Sequence, residues 1–97
     1  MYHDLKAHET EVRGEWHKSG SQVVESAACE RIRWLTNSQL ERIASAPGGW
    51  DTLYLDPKTD RFWELTYPDG DYHGGGPPML RTIAPAEVLA KYDNSVD

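Results

Sequence analysis

Residues 49–78 read GWDTLYLDPKTDRFWELTYPDGDYHGGGPP, and this stretch decides the fold. Trp50–Leu55 and Arg61–Tyr67 are rich in aromatic and aliphatic residues, as strands require. Between them Asp56-Pro57-Lys58-Thr59-Asp60 is turn chemistry, with Pro57 suited to position i+1 of a type I turn. Side chains alternate across a strand, so Trp63, Leu65 and Tyr67 share one face of the second strand, and Phe62, Glu64 and Thr66 share the other. Asp69-Gly70 marks the next turn. His73-Gly74-Gly75-Gly76-Pro77-Pro78 follows as a loop whose glycines permit unusual backbone angles and whose prolines stiffen the exit.

Downstream, Met79–Ile83 reads as a short strand. Pro85 suits the first turn of a closing helix that runs to Tyr92, with Val88, Leu89 and Tyr92 expected to face inward. Ala84 before it is a poor N-cap. Upstream, Thr10–His17 and Gln22–Glu25 flank the turn Lys18-Ser19-Gly20-Ser21, so residues 10–25 read as a hairpin. Ser26 is suited to cap a helix reaching about Thr36, with Ala28, Ile32 and Leu35 on its inner stripe, Cys29 at the stripe's edge and Trp34 on the other flank. Leu40, Ile43 and Ala44 fit a helical period, while Leu40, Arg42 and Ala44 fit alternation; residues 39–46 are assigned to a strand. Residues 1–9 and 93–97 are expected to be loose, around an ordered core of about 10–92.

These elements make one small α+β domain spanning residues 1–97. An antiparallel sheet of about 5–6 strands carries one main helix and a short C-terminal helix. A domain of this size buries only about 60–65% of its unfolded surface, so a core and a deep cavity compete for the same residues. The chain has 16 acidic and 10 basic residues, a net charge of −6. That balance opposes binding to naked nucleic acid, where basic patches supply most of the affinity. The single cysteine, Cys29, forms no internal disulfide. The polar start lacks a secretory signal, and no apolar run approaches the ~18 residues of a membrane span. The expected location is the cytoplasm, with no membrane partner.

No catalytic set is complete. His73–Gly76 resembles the oxyanion loop of esterases, but the G-x-S-x-G elbow that mechanism needs is missing. The same glycines suit an anion-binding nest, but no Lys-Ser or Lys-Thr follows, and Asp69 and Asp71 repel phosphate. His3, His8, His17 and His73 are dispersed, without the tight ligand pairs of a structural zinc site. No metal and no cofactor are therefore expected. Of the carboxylates Asp51, Asp56, Asp60, Glu64, Asp69 and Asp71, four (Asp56, Asp60, Asp69 and Asp71) lie in or beside turns, where aspartate is favoured. Glu64 is different: it sits mid-strand and must point to solvent, to a partner or into a buried salt bridge. Trp34 and Trp50 suit either a core or an interface.

The run GWDTLYLDP, DRFWELTYP and HGGGPP, together with CERIRWLTNSQLERIA before it, resembles the immunity protein 27 family of bacterial polymorphic toxin systems. The likeness extends from about Val12 to Tyr92. The resemblance implies a protein that protects a toxin-producing bacterium from competition toxins by binding a cognate toxin, usually encoded next door. The motif residues it carries over are Trp50, Trp63, Glu64, Tyr67, His73, Gly74, Gly75 and Gly76. On this reading the chain is not an enzyme, and a surface formed by the 56–60 turn and the 69–73 loop is expected to meet the toxin. Its candidate residues are Asp56, Asp60, Glu64, Asp69, Asp71, Tyr72 and His73. The alternative is a small-molecule-binding or enzymatic α+β domain using Glu64 and His73; a structural subunit of a larger assembly is a third reading.

Overall fold

The computed structural model describes residues 3–46, 51–68 and 76–92. Among the described residues, seven strands, two α-helices and a π-helical turn follow one another: β1 Glu11–Arg13, β2 Trp16–Ser19, β3 Gln22–Glu25, α1 Ala27–Trp34, the π-helical turn Leu35–Gln39, β4 Glu41–Ser45, β5 Thr52–Asp56, β6 Arg61–Thr66, β7 Met79–Thr82 and α2 Pro85–Tyr92. Five strands form an antiparallel sheet in the order β1-β7-β6-β5-β4, and β2-β3 form a separate hairpin. The α+β class, the antiparallel sheet and the two helices agree with the sequence reading.

Alternation builds a core on each face of the sheet. Tyr54 lies opposite Trp63, and Leu80 opposite Leu65. On that face Trp63, Tyr54 and Leu80 pack with Ile32 and Leu35 of the helical segment. Leu53 lies opposite Glu64, and Glu64 opposite Arg81, on the other face. There Leu53, Ala44 and Ile83 pack with Tyr92 of α2, and Phe62 and Val88 complete the cluster. The sheet is thus sandwiched between α1 and α2.

Ser26 caps α1 by accepting from the Cys29 backbone N–H. The helix then widens. Thr36 and Ser38 donate their hydroxyls to the carbonyls of Ile32 and Trp34, and the Leu40 N–H reaches back to the Leu35 carbonyl. Such back-bonding loosens the ordinary ladder, and the π-turn delivers the chain to β4 in the strand assigned to residues 39–46. At the start of α2 the Glu87 carboxylate accepts from the Ala84 N–H, supplying the half of a capping box that Ala84 leaves open.

Three expectations are corrected. The 10–25 hairpin is divided: β1 pairs with β7, and only β2 pairs with β3. The break falls at Gly14, whose N–H donates to the Pro78 carbonyl and whose Cβ, if present, would stand 2.7 Å from both that oxygen and Cys29 Sγ. Leu89 faces outward, 66% exposed, because Val88 and Tyr92 already fill the stripe that meets the sheet. Residues 3–9 are not a loose arm. Leu5 is buried in the α1-side core. Arg31 grips Glu9 with two hydrogen bonds of 2.9 and 2.8 Å, Arg61 donates to the Glu9 and Lys6 carbonyls, and Lys58 pairs with Asp4. Residues 93–97 lie outside the described residues.

Candidate functional site

Glu64 is fully buried on the α2 face of β6. Register places Arg81 of β7 directly beside it, and Arg81 Nη2 donates to its Oε1 at 2.8 Å. From α2, Lys91 Nζ lies 2.7 Å from Oε2 and the Tyr92 hydroxyl donates to the same oxygen at 2.7 Å. Lys91 also reaches Asp51 at 2.6 Å. Burial pushes the Glu64 pKa up, but the hydrogen bonds from Lys91 and Tyr92 and the charges of Lys91 and Arg81 outweigh it, and the net shift is downward. Burial, then the Glu64 carboxylate, pushes the Tyr92 hydroxyl well up. Glu64 therefore takes the buried salt-bridge option and fastens α2 to the sheet.

Asp56 is also inside, 2% exposed. Its carboxylate accepts from the Lys58 N–H and its carbonyl from the Thr59 and Asp60 N–H groups, which closes the turn with Asp60 at φ 59°. The Asp56 and Glu64 side chains are thus both buried. Asp60 is exposed at the head of β6. Asp69, Asp71, Tyr72 and His73 lie outside the described residues, as do Trp50, Gly74 and Gly75. The 56–60 turn leads directly into β6, and the 69–73 loop expected to share its edge lies outside the described residues. Trp63 is buried under the Arg61 guanidinium, which sits 5.0 Å from its ring centroid, and Trp34 is half-buried against the same core. The small-molecule alternative needs Glu64 in a pocket; Arg81, Lys91 and Tyr92 enclose its carboxylate instead.

A cleft of about 240 Å3 opens where the hairpin meets α1 and the end of β6. Trp16, Glu25, Ile32, Arg33, Leu65 and Tyr67 line it, and Gly76 closes one side with a positive φ of 77°. Trp16 and Glu25 are direct cross-strand partners. The Glu25 carboxylate is held by Arg33: Nη1 donates to Oε1 at 3.1 Å and Nη2 to Oε2. Tyr67 and Gly76 were marked in the sequence. Trp16, Glu25 and Arg33 were not, because their meeting depends on the hairpin leaving the sheet at Gly14. Among the described residues no group of three or more His, Cys, Asp or Glu side chains is placed to hold a metal, and no helix is long and apolar enough to cross a membrane.

The profile of the family described as immunity protein 27 matches residues 18–84, from the hairpin through β7. No curated protein and no solved structure matches the chain. The matched segment covers most of the 97 residues, and the chain belongs to the immunity protein 27 family.

Proposed function

We propose that this member of the immunity protein 27 family neutralises a cognate bacterial toxin domain by direct, tight binding. The proposed setting is a polymorphic toxin system, with the toxin encoded by the adjacent gene and the complex formed in the cytoplasm of the producing cell. The observation that carries the reading is the family match over residues 18–84. Family membership assigns an immunity protein, which suggests a binding role in place of an enzymatic one.

The net charge of −6 favours a toxin with a basic face. Exposed carboxylates steer such a partner and speed its association. In this reading Asp60, Asp69, Asp71, Tyr72 and His73 meet the toxin. Asp56 acts indirectly by holding the turn that presents Asp60.

The test is growth rescue with co-purification. The neighbouring reading frame is expressed in a sensitive host, with and without this chain. Rescue with a stoichiometric complex is the expected result. Rescue without any complex would overturn direct binding, and toxicity without rescue would overturn the immunity reading. Charge reversal at Asp60, Asp69 and Asp71 is expected to weaken the complex; unchanged affinity would remove those residues from the contact.

A further inference from the structure

We propose that the cleft between the β2–β3 hairpin and α1 receives an arginine side chain of the toxin, with Glu25 as its carboxylate partner and Arg33 as the internal group that it displaces. This deepens the toxin-binding reading and rests on it.

The size of the cleft sets the class of occupant. At about 240 Å3 it falls below the roughly 300–1,000 Å3 of sites that enclose a small molecule. One long side chain fits it. Its walls choose which one. Ile32 and Leu65 are apolar and suit an aliphatic stem, while Trp16 and Tyr67 bring aromatic rings. Arginine combines a stem that lies along apolar surface with a planar cation that stacks on aromatic rings. It is also among the residues that dominate binding hot spots.

Glu25 selects the charge and the geometry. Its carboxylate stands at the cleft, across from Trp16, and already accepts two guanidinium nitrogens from Arg33. The site is therefore shaped for a fork-to-fork pair, which arginine makes and lysine does not. The Glu25 and Arg33 side chains are 40% and 52% exposed. An ion pair so open to water contributes little, so Arg33 can swing aside at small cost. Glu30 lies one turn before Arg33 on α1 and is exposed, and the Glu15 side chain beside β2 is 64% exposed. Glu30, at i−3 on the same helix, lies on Arg33's side of α1. A carboxylate or phosphate from the partner would meet repulsion here.

The purified chain is titrated with the toxin domain encoded by the neighbouring reading frame, using wild type, Glu25→Gln and Arg33→Ala. Both substitutions remove exposed groups, and thermal unfolding checks that the fold is kept. Glu25→Gln is expected to weaken the complex about tenfold or more, as loss of a charged hydrogen-bonded partner does. Arg33→Ala is expected to bind at least as tightly as wild type, because it removes the competitor. A toxin arginine whose change to alanine weakens binding to wild type, but has no further effect on Glu25→Gln, identifies the occupant. If wild type binds and Glu25→Gln binds equally well, or if Arg33→Ala weakens the complex as much as Glu25→Gln, the cleft proposal is overturned and toxin binding stands. If wild type itself forms no complex, both fall together.

Discussion

Replacing Glu64 by alanine should destabilise the protein by about 3 kcal/mol. Removing one partner of a buried ion pair costs about 3–5 kcal/mol when the other is left stranded. Here the strandings differ. The Arg81 and Lys91 side chains are 34% and 37% exposed and can turn toward water, which removes much of the penalty on the cation side. Tyr92 is 0% exposed, and its hydroxyl would lose its acceptor, at a cost of about 1–3 kcal/mol. The loss of packing around the removed carboxyl adds to this. Glu64→Gln keeps an acceptor for Tyr92 but sets an amide N–H2 against a cation, and should cost about 2 kcal/mol. Tyr92→Phe leaves the Glu64 pairs with Arg81 and Lys91 intact and should cost about 1 kcal/mol. A domain this small has about 5–15 kcal/mol in total, so the alanine variant remains folded at room temperature. At ~4–8 °C per kcal/mol its midpoint falls by roughly 12–24 °C. Urea unfolding measures the differences, with the slope unchanged if the native state keeps its compactness. If Glu64→Ala and Tyr92→Phe both lie within about 0.5 kcal/mol of wild type, the network does not fasten α2 and the reasoning fails.

Other outcomes follow from the same contacts. Acid should unfold the protein through carboxylates whose folded pKa is depressed: the hydrogen bonds from Arg31 hold Glu9 at about 2, against an ordinary 4.5, and Glu64 is also lowered. Stability from these groups is complete above the unfolded pKa and is lost as pH falls from about 4.5 toward about 2; an unfolding free energy flat across that window contradicts the assignment. Gly14→Ala should cost about 1–3 kcal/mol, since the new Cβ meets the Pro78 carbonyl and Cys29 Sγ at 2.7 Å, and equilibrium unfolding reads it. Leu5→Ala should cost about 2 kcal/mol, which distinguishes a docked N-terminal strap from a free arm. Toxin association should slow about tenfold or more between ~50 and ~500 mM salt if exposed carboxylates steer it; stopped-flow rates independent of salt would remove the steering.

The parts of the fold legible in the sequence are those whose signal is local. β5 and β6 alternate aromatic and aliphatic residues around a turn that carries its own aspartate chemistry, and nothing distant is needed to read them. The α1 stripe of Ala28, Ile32 and Leu35 is equally local, and Ser26 announces the cap. The misread elements depend on contacts far along the chain. Val12 and Trp16 look like one strand until Gly14 is seen pressed against Pro78 and Cys29. Leu5 is a single apolar residue in a polar run, held by Arg31, Lys58 and Arg61 from three other elements. Leu89 is as hydrophobic as its neighbours, and only the position of the sheet decides which side of α2 is covered. At the site, Glu64 was legible as a charge in need of a partner. Its partner Arg81 is a second mid-strand charge, identifiable once the β6–β7 register is known.

Among the described residues, those that carry the family likeness divide between the interior and the cleft. Trp63 and Glu64, the first two residues of the WELTYP run, are fully buried: one fills the α1-side core, and the other anchors α2. Tyr67 and Gly76, at the margins of the motif, line the cleft. Trp63 and Glu64 thus specify how the domain is built, and Tyr67 and Gly76 where the built domain opens. A substitution at Trp63 should abolish immunity by unfolding the protein, whichever toxin is bound. A substitution at Glu25 should leave the fold intact and change only what the cleft accepts. On the cleft proposal, toxin specificity is expected to extend to the hairpin and the exposed face of α1, where side chains can change without disturbing either core.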